Sequence, residues 1–381
     1  MSDNQPQLTP QMQNAMARGN LLENGISMIK RLQPQRCKVG ESVRIPLQRM
    51  GIMTGVMLHI STTFDAAATP LIKSSQFGPH NLINNVMYTD FAGTNRIKTT
   101  GHQLWAMQCF KQGDIISGSP AQYVTPGSLD YNYHSNDNVF NAGSYSDEGT
   151  HKLSFGLYVP MAYDPASDLT GAVLTQTTVG EHYITVDIAK SLVGNEWTSP
   201  FTAGIVNGSP DITIEPYQYY IQPQNTSVYN LPLIDLSTIY AIEGGYQTQA
   251  NIQAGSSTFI NLPNNRSILS TYVSFENGGV FNKNESDVSL VTTIANSNTN
   301  FREQSPRLIR ETMRNIINAD MPSSCYYLGS RRQPILTQLY ASVQNKFDII
   351  STGNPANGPT QFITQYESQY PSGSPLPGIV M

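Results

Sequence analysis

The histidines and cysteines are the residues most able to bind a metal or attack a substrate. Their spacing therefore indicates whether the chain could hold a metal site or a nucleophilic catalytic pair. The six histidines show no i, i+4 pair, and Cys37, Cys109 and Cys325 lie far apart, as free thiols in a reducing compartment do. Cys109 and His102 could form a nucleophilic pair on one helix face, but any two core positions share that spacing. A metal site would need distant histidines. The pattern predicts no catalytic residue, no metal site and no cofactor.

Motifs for nucleotide binding and hydrolysis are also missing from the sequence. The dipeptide Gly-Lys of a phosphate-binding loop does not occur, and G-x-G-x-x-G, H-E-x-x-H and G-x-S-x-G are absent. The carboxylates that a carbohydrate hydrolase would need are not paired in the sequence. The candidates are Asp164, Asp168, Asp187, Glu215 and Asp235. Two of them about 5–9 Å apart in a cleft would be required to support that alternative.

Composition excludes further functional classes. Only 13% of the 381 residues are charged, against roughly 25% in an average globular chain, and neutral amides and hydroxyls take their place. Such a surface is cheap to desolvate, which is typical of a protein that is buried against other chains. The formal net charge of −5 argues against a general nucleic-acid-binding protein. Because we find neither a signal peptide nor an apolar run of roughly 18 residues, we expect a chain that is neither secreted nor membrane-spanning.

The N-terminal pattern predicts an amphipathic helix over residues 9–32. Thr9 suits the N-cap and Pro10 the first helical position. The apolar stripe at i, i+3/i+4 spacing comprises Met12, Met16, Gly19, Leu22, Ile26 and Ile29. With Lys30 and Arg31, it lies in a segment that carries five basic and two acidic side chains over residues 1–38. The helix could dock on its own domain, or it could meet an anionic surface such as lipid headgroups.

From Val39 onward the sequence predicts short strands rich in Val, Ile, Thr, Tyr and Phe, separated by Gly, Pro, Asn and Asp. The clearest runs are 42–47, 52–60, 153–159, 183–188, 212–221, 269–275, 288–294 and 334–343. Two helices interrupt them. One covers 101–112 after the cap Thr100, and the other follows the cap Ser305, with Leu308, Ile309, Met313, Ile316 and Ile317 on its buried side.

This pattern divides the chain into four parts. We predict an N-terminal helix and base arm over 1–38, a first β-domain over 39–228, a second over 229–350, and a C-terminal arm over 351–381. Jelly rolls are the leading candidate for both domains, although no residue-level repeat relates the two halves. The long loop 113–150, which contains Tyr131, Tyr133 and Tyr145, is of a kind that usually makes contacts.

Several peptides, in the same order and spread over most of the chain, resemble the major capsid proteins of tectiviruses. These are membrane-containing double-stranded DNA bacteriophages of the double jelly-roll lineage. The peptides are 7–10, 77–82, 100–104, 159–163, 168–174, 231–240, 275–279, 326–327 and 334–335. The block 231–240 at the proposed domain boundary is the most specific. The chain departs from the family in 113–150, in 241–265 and after 340.

The resemblance implies an all-β double jelly roll: two eight-stranded sandwiches side by side, with an N-terminal amphipathic helix and one or two inserted helices. It implies a major capsid protein without catalysis that is made in the host cytoplasm and located in the virion. Its partners would be two further copies in a homotrimer of pseudo-hexagonal outline, neighbouring trimers and other capsid proteins.

These trimers would tile an icosahedral shell over an internal viral membrane, which the N-terminal helix contacts. Direct contact with nucleic acid and a small-molecule substrate are not implied. Loop 113–150 would project outward, with Tyr131, Tyr133 and Tyr145 as a contact surface. A jelly-roll lectin or a receptor-binding spike remains the alternative, and it would be rare in the virion where a shell protein is abundant.

Overall fold

The computed structural model is built mainly of antiparallel strands. It describes residues 10–70, 72–75, 77–112, 124–125, 128–132, 144–145, 149–165, 169–175, 179–206, 210–222, 236–244, 249–252, 257–263, 266–277, 279–281, 288–295, 299–317, 325–329, 339–340, 347–352 and 360–371. Helices and strands are numbered in chain order below.

The first half contains two α-helices, a 3₁₀ helix and fifteen strands within the described residues. The helices are α1 (Pro10–Asn24), η1 (Gly78–Leu82) and α2 (Gly101–Gln112). The strands are β1 (Ile26–Arg31), β2 (Gln35–Lys38), β3 (Ser42–Pro46), β4 (Ile52–Ala66), β5 (Ile72–Ser74), β6 (Ile83–Thr89), β7 (Asn95–Thr99), β8 (Val124–Thr125), β9 (Ser128–Asn132), β10 (Ser144–Tyr145), β11 (Gly149–Pro160), β12 (Val173–Leu174), β13 (Tyr183–Ile188), β14 (Phe201–Ala203) and β15 (Asp211–Gln222).

The second half contains one helix and eleven strands in the described part. The helix is α3 (Pro306–Ile317). The strands are β16 (Thr238–Glu243), β17 (Gln249–Ile252), β18 (Ser257–Asn261), β19 (Ser267–Asn277), β20 (Val280–Phe281), β21 (Leu290–Ala295), β22 (Thr299–Gln304), β23 (Cys325–Gly329), β24 (Leu339–Tyr340), β25 (Phe347–Thr352) and β26 (Thr360–Pro371).

Strands β1 to β15 form a sandwich that we call the first roll. One sheet has the order β1-β15-β4-β11, extended by β9 and β8, and the other has the order β3-β13-β6-β7. Burial alternates along β15 and β13, so one face of each strand enters the core. Val56, Leu58 and Ile60 from the first sheet share that core with Val86 and Ile184 from the second.

Strands β16 to β26 form the second roll, which repeats the same topology. Its sheets have the orders β16-β26-β19-β23 and β18-β25-β21-β22. In both rolls a helix follows the last strand of the second sheet, α2 after β7 and α3 after β22. The double jelly roll with an N-terminal helix and two inserted helices is therefore confirmed.

The repeat extends to irregularities of the strands. The first sheet of each roll has one register shift, at Tyr219/Tyr220 against β4 and at Ile268/Ser270 against β26. The second sheet of each roll has another, at Tyr88/Thr89 against β7 and at Thr293/Ile294 against β22. One further shift, at Asp187/Ile188 between β13 and β6, has no counterpart in the described pairing of β25 with β21. An internal repeat that the sequence does not reveal is thus visible in the structure.

The predicted C-terminal arm over 351–381 is wrong for Thr360–Pro371. This segment is β26, an interior strand of the second roll that pairs with β16 on one side and β19 on the other. The flanking stretches 353–359 and 371–378 are rich in Pro and Gly. Because of these flanks, the sequence pattern predicted an extended arm, and the strand between them was missed. The predicted boundary at 228/229 lies between β15 and β16, outside the described residues.

The two rolls are joined by a sheet that continues from one into the other. Strand β7 pairs in parallel with β16, with Ile97 opposite Ile242 and Lys98 opposite Glu243. The backbone N–H of Gly244 extends this ladder by donating to the Lys98 carbonyl at 3.0 Å. The second sheet of the first roll and the first sheet of the second roll are therefore one 11-stranded sheet, which fixes the orientation of the rolls.

Buried polar groups strengthen this junction. The Gln365 side chain on β26 accepts a hydrogen bond from the Thr99 hydroxyl, and its Nε2 donates to the Gln103 carbonyl at 3.1 Å and to the Met107 sulfur at 3.2 Å. All four of these residues are buried. Because an unpaired amide would be costly here, Gln365 ties the second roll to α2 of the first.

Candidate assembly and membrane-facing surface

Helix α1 lies on the first roll with one face buried and another exposed. Ala17 and Leu21 are buried, and Leu21 packs against Ile52 and Ile221 at one end of the sheet. Leu22 is half-buried against the same cluster. The described part of the opposite face shows two large apolar side chains that remain exposed, Met12 at 53% and Met16 at 55%. The helix therefore docks on its own domain and still presents methionines outward.

The predicted helix over residues 9–32 is too long. Helix α1 ends at Asn24, and Ile26–Arg31 forms β1, which pairs antiparallel with β15. Gly25 makes the turn, and its N–H donates to the Leu21 carbonyl at 2.7 Å. A Cβ at Gly25 would lie 2.4 Å from the Leu21 oxygen and 2.5 Å from Ile221 Cγ2. Ile26, Ile29, Lys30 and Arg31 are consequently residues of a strand.

We expect Gly25→Ala to lower stability and Gly19→Ala to raise it. The methyl group of an alanine at position 25 would push α1 away from the roll, because the Leu21 carbonyl oxygen and Ile221 Cγ2, the two atoms nearest to it, belong to packed parts of the chain. Gly19 lies inside α1 with no atom within 4 Å of its added Cβ, and alanine there favours the helix by about 0.5–1 kcal/mol. Thermal unfolding of both variants checks the turn, and equal shifts in the two would contradict it.

Strand β1 presents an exposed edge next to α1. All six of its residues are exposed, and Ile26, Met28 and Ile29 are large apolar ones among them. β1 pairs with β15 on one side and ends the sheet order among the described strands. Lys30 is exposed, whereas the Arg31 guanidinium lies 3.2 Å from the Glu215 carboxylate. Open apolar edges of this kind are templates for pairing with another chain.

The predicted loop 113–150 contains strands in its described parts. Tyr131 lies on β9, which pairs in parallel with β11, opposite Leu153. Tyr145 lies on β10, opposite Ile72 of β5. Tyr133 lies outside the described residues. A structureless loop is thus corrected to short strands that widen the first roll, and the outward projection of these tyrosines stays a prediction.

The outer face of the sheet β1-β15-β4-β11 carries an aromatic patch that sequence reasoning missed. Met57, Tyr158, Tyr217 and Tyr219 are half-exposed there, and the rings of Tyr158 and Tyr219 meet edge to face at 5.9 Å. Gly55 makes room for Tyr158, since a Cβ there would lie 2.1 Å from its hydroxyl. The alternation of tyrosines in 215–220 was the available signal, because every second strand residue faces outward.

The residue types of nucleophilic catalysis meet once on this face, but their geometry is that of a surface network. The Ser154 hydroxyl lies 2.9 Å from His59 Nε2, and Glu215 is opposite His59 on the neighbouring strand. Both oxygens of the Glu215 carboxylate have other partners, the Arg31 guanidinium at 3.2 Å and the Tyr217 hydroxyl at 3.1 Å. The carboxylate that would orient the imidazole is therefore occupied.

Of the candidate carboxylates, Asp187 and Glu215 lie on different sheets and bond different partners. Asp187 lies on β13, in the sheet opposite Glu215, and accepts hydrogen bonds from Ser42 at 2.6 Å and Asn85 at 3.0 Å. Asp168 and Asp235 lie outside the described residues. Among the side chains that the structure describes, no three His, Cys, Asp or Glu residues could hold a metal ion.

Two of the histidines are buried among aromatic rings. His102 meets the Trp197 ring edge-on at 4.7 Å and stacks on Phe77 at 5.2 Å, and burial, together with neighbouring His80, lowers its pKa to about 3. His182 stacks on Phe91 at 4.2 Å, and burial lowers its pKa to about 4. Both are core histidines whose imidazoles stay neutral at pH 7.

The cysteines follow the same pattern. Burial raises the pKa of the Cys37 thiol to about 11 and that of Cys325 to about 12. Both are free thiols, as the sequence predicted, and the Cys109 side chain lies outside the described residues. Because the thiolate is the reactive form, the thiols of Cys37 and Cys325 are protonated and weakly nucleophilic at neutral pH.

No helix in the part of the chain that the structure describes is long and apolar enough to cross a bilayer. Three surfaces stand out on the pair of jelly rolls: the exposed face of α1, the β1 edge and the tyrosine patch.

Two family models together match most of the chain. The P3 major capsid protein N-terminal model matches residues 12–216, and the P3 major capsid protein C-terminal model matches residues 237–368. The chain belongs to the P3 major capsid protein family. Major capsid protein P3 of Enterobacteria phage PRD1 is 28% identical over 351 residues, which cover 87% of this chain and 85% of that protein.

Solved structures agree on the fold. The chain is similar to the STIV major capsid protein with a TM-score of 0.62 and 11% identity, covering 91% of this chain and 97% of that one. It is also similar to major capsid protein P2 of bacteriophage PM2, with a TM-score of 0.51 and 11% identity, covering 92% and 100%. The chain is a major capsid protein of the virion that assembles with other capsid subunits. Membership of this family supports the major capsid protein and not the alternative of a lectin or receptor-binding spike.

Proposed function

We propose that three copies of this major capsid protein form a trimer with a pseudo-hexagonal outline, and that such trimers tile an icosahedral shell over an internal membrane. The observation that carries the proposal is the pair of rolls with equal topology in one chain, held side by side by the β7–β16 pairing. Three copies then supply six similar units around a threefold axis, which fits a hexagonal lattice site. The protein acts by self-assembly without catalysis.

The surfaces of the chain support obligate association. The exposed apolar side chains Ile26, Met28 and Ile29 line one strand edge, and half-exposed tyrosines cover the adjacent sheet face. Aromatic residues and methionine are enriched where protein chains meet, while charged residues are depleted. A chain in which only 13% of residues are charged fits subunits that bury about 2,000–5,000 Å² at permanent interfaces.

Native mass spectrometry of the purified protein tests the trimer. The expected species has three times the chain mass of 41.9 kDa and persists on dilution, because permanent interfaces are large. A species of one chain mass at all concentrations would contradict the proposal.

Helix α1 would be the membrane-facing element of this shell. It presents Met12 and Met16 outward, and residues 1–38 carry five basic and two acidic side chains. An apolar helix face flanked by basic residues binds the headgroup region of anionic bilayers. The base of the first roll, where Leu21 docks, would then face the lipid.

We expect the double variant Met12→Glu with Met16→Glu to bind vesicles several-fold more weakly than the original protein. Both side chains are exposed, so the folded protein keeps its stability while the apolar face gains negative charge. Flotation with phosphatidylglycerol-containing vesicles measures the effect. Val179→Glu is the matched control, since Val179 is 89% exposed elsewhere. Equal flotation of the double variant and the control would contradict a membrane role of α1.

A further inference from the structure

We propose that each subunit contact of the trimer copies the contact between the two rolls inside the chain. Strand β22 and helix α3 of one copy would take the places of β7 and α2, and β1 and β15 of the next copy would take those of β16 and β26. The inference rests on the proposed trimer and names the surfaces that join its subunits. It predicts that Glu303 lies opposite Lys30 of the next copy, and that Leu308 packs on Tyr217.

The equivalence of α3 with α2 is fixed by their caps. The N–H of Gln103 donates to the Thr100 hydroxyl at 3.4 Å, and the N–H of Leu308 donates to the Ser305 hydroxyl at 3.3 Å. Leu308 therefore corresponds to Gln103. Counting back along the preceding strands makes Glu303 the counterpart of Lys98, and the register shifts of β7 and β22 then fall at the same place.

The equivalence of β15 with β26 is fixed by the other register shift. Tyr219 and Tyr220 flank the shift in the first roll, and Glu367 and Ser368 flank it in the second. Tyr217 therefore corresponds to Gln365. Pairing with these strands carries the alignment to the sheet edge: Ile29 is opposite Tyr219 as Ile242 is opposite Glu367.

The same alignment makes Lys30 the counterpart of Glu243. Within the chain Glu243 lies opposite Lys98. Between copies the equivalent pair is Lys30 and Glu303, both exposed. The signs are exchanged, but the pair still joins a base and an acid, and opposite charges on neighbouring strands attract where like charges would repel. Charge complementarity at this position selects a second copy as the occupant of the β1 edge.

The backbone of β1 is oriented for this pairing. The N–H of Leu32 donates to the Pro216 carbonyl of β15 at 2.9 Å. Since N–H groups alternate in direction along a strand, the N–H of Arg31 points to the open edge. Arg31 corresponds to Gly244, whose N–H makes the hydrogen bond to Lys98 inside the chain. β22 likewise ends its sheet order among the described strands.

The proposed subunit contact also explains why Leu308 is exposed in the single chain. We predicted Leu308 on the buried side of α3, but it is 51% exposed, while Ile309 and Met313 are buried. Its counterpart Gln103 is fully buried against Gln365 at the junction of the rolls. Gln365 bonds the backbone carbonyl of Gln103, so the two contacts share the position and not the side-chain chemistry. At the subunit contact the exposed Leu308 side chain would pack on the ring of Tyr217.

Cysteine cross-linking tests the contact in the full chain. With Lys30→Cys and Glu303→Cys in one protein, mild oxidation should give disulfide-linked dimers and trimers on a denaturing gel. Neighbouring strands lie about 4.8 Å apart, which is within the Cα separation that a disulfide spans. Lys30→Cys with Glu311→Cys is the matched control, since Glu311 is an exposed acid on α3 that does not oppose Lys30. Linking in the first pair and not in the control supports the contact.

A second variant separates this inference from the trimer itself. Leu308→Asp should reduce the trimer fraction in native mass spectrometry at least tenfold while the released single chain keeps its β-sheet circular dichroism spectrum, because the Leu308 side chain is 51% exposed in the single chain. If the original protein forms trimers but neither links through Lys30 and Glu303 nor responds to Leu308→Asp, the proposed contact is wrong and the trimer stands. If the original protein forms no trimers, the proposed function fails.

Discussion

Replacing Arg266 by methionine should lower the unfolding temperature of the second roll by about 6–12 °C, which corresponds to about 3 kcal/mol for a domain of this size. The Arg266 side chain is buried and lies 3.1 Å from the Glu243 carboxylate, and it donates to the Ser368 hydroxyl at 3.3 Å. Methionine fills a similar volume, but it leaves the Glu243 carboxylate without its positively charged partner. The estimate stays at the low end of the range for buried pairs because Glu243 keeps some contact with water.

Arg44→Met is the matched control for Arg266→Met. Arg44 forms an ion pair with Glu181 at 3.0 Å, but both side chains are more than half exposed, so its loss should cost about 1 kcal/mol or less. Differential scanning calorimetry of both variants gives the comparison. Equal shifts in the two would show that the Arg266 pair does not hold β16 in place. Because β16 carries the pairing to β7, Arg266→Met should also loosen the junction of the rolls.

Acidification from pH 7.5 to pH 5 should reduce the free energy of unfolding through His102 and His182 by about 4 kcal/mol, about 2 kcal/mol from each. Both imidazoles are held neutral, with pKa values lowered to about 3 and about 4 by burial. In the unfolded chain they take up protons below about pH 6.5. The unfolded state therefore gains protons first, and stability falls between pH 6.5 and 4.

The charged surroundings of the two histidines do not reverse this direction. His80 faces His102 and adds to the lowering of its pKa. Around His182, Asp90 opposes the lowering, whereas Arg49 and Arg96 add to it. Urea unfolding of His102→Gln with His182→Gln at both pH values measures the contribution. The double variant should lose clearly less stability on acidification than the original protein, and an equal loss would contradict neutral burial.

The regular parts of the fold could be predicted because they depend on local signals. The helix 101–112 was predicted with the bounds that the structure shows, since a capping threonine and Gly113 define its ends. Tyr183–Ile188 was likewise found as a strand from its alternation. For such segments the residues that decide the structure lie within the segment itself.

Features that depend on distant contacts were not predictable. Residues 26–31 continue the helical spacing of α1, but they form a strand because they pair with β15, which lies far away in the sequence. The strand 360–371 is recognisable once β16 and β19 flank it. The same holds for Leu308, which is exposed while its neighbour Ile309 is buried, because the packing of α3 on the rest of the fold decides which side of the helix is covered.

The functional surface was predicted only in part for the same reason. Met12 and Met16 were identified as part of an apolar stripe on a helix, and the structure exposes both, whereas Leu22 of the same stripe is half-buried. The tyrosine patch was missed, because Tyr158 and Tyr219 become neighbours only through the pairing of three strands. The equivalence of the two rolls could not be predicted from the sequence. The rolls share their strand order and the positions of register shifts, but they do not share residue identities.

Negative-stain microscopy of the purified protein tests the central claim most directly, which is that paired rolls in each chain make a threefold assembly six-sided. Face-on class averages should show six lobes of similar size around one centre. Three lobes, or a particle with the dimensions of a single chain, would contradict the account.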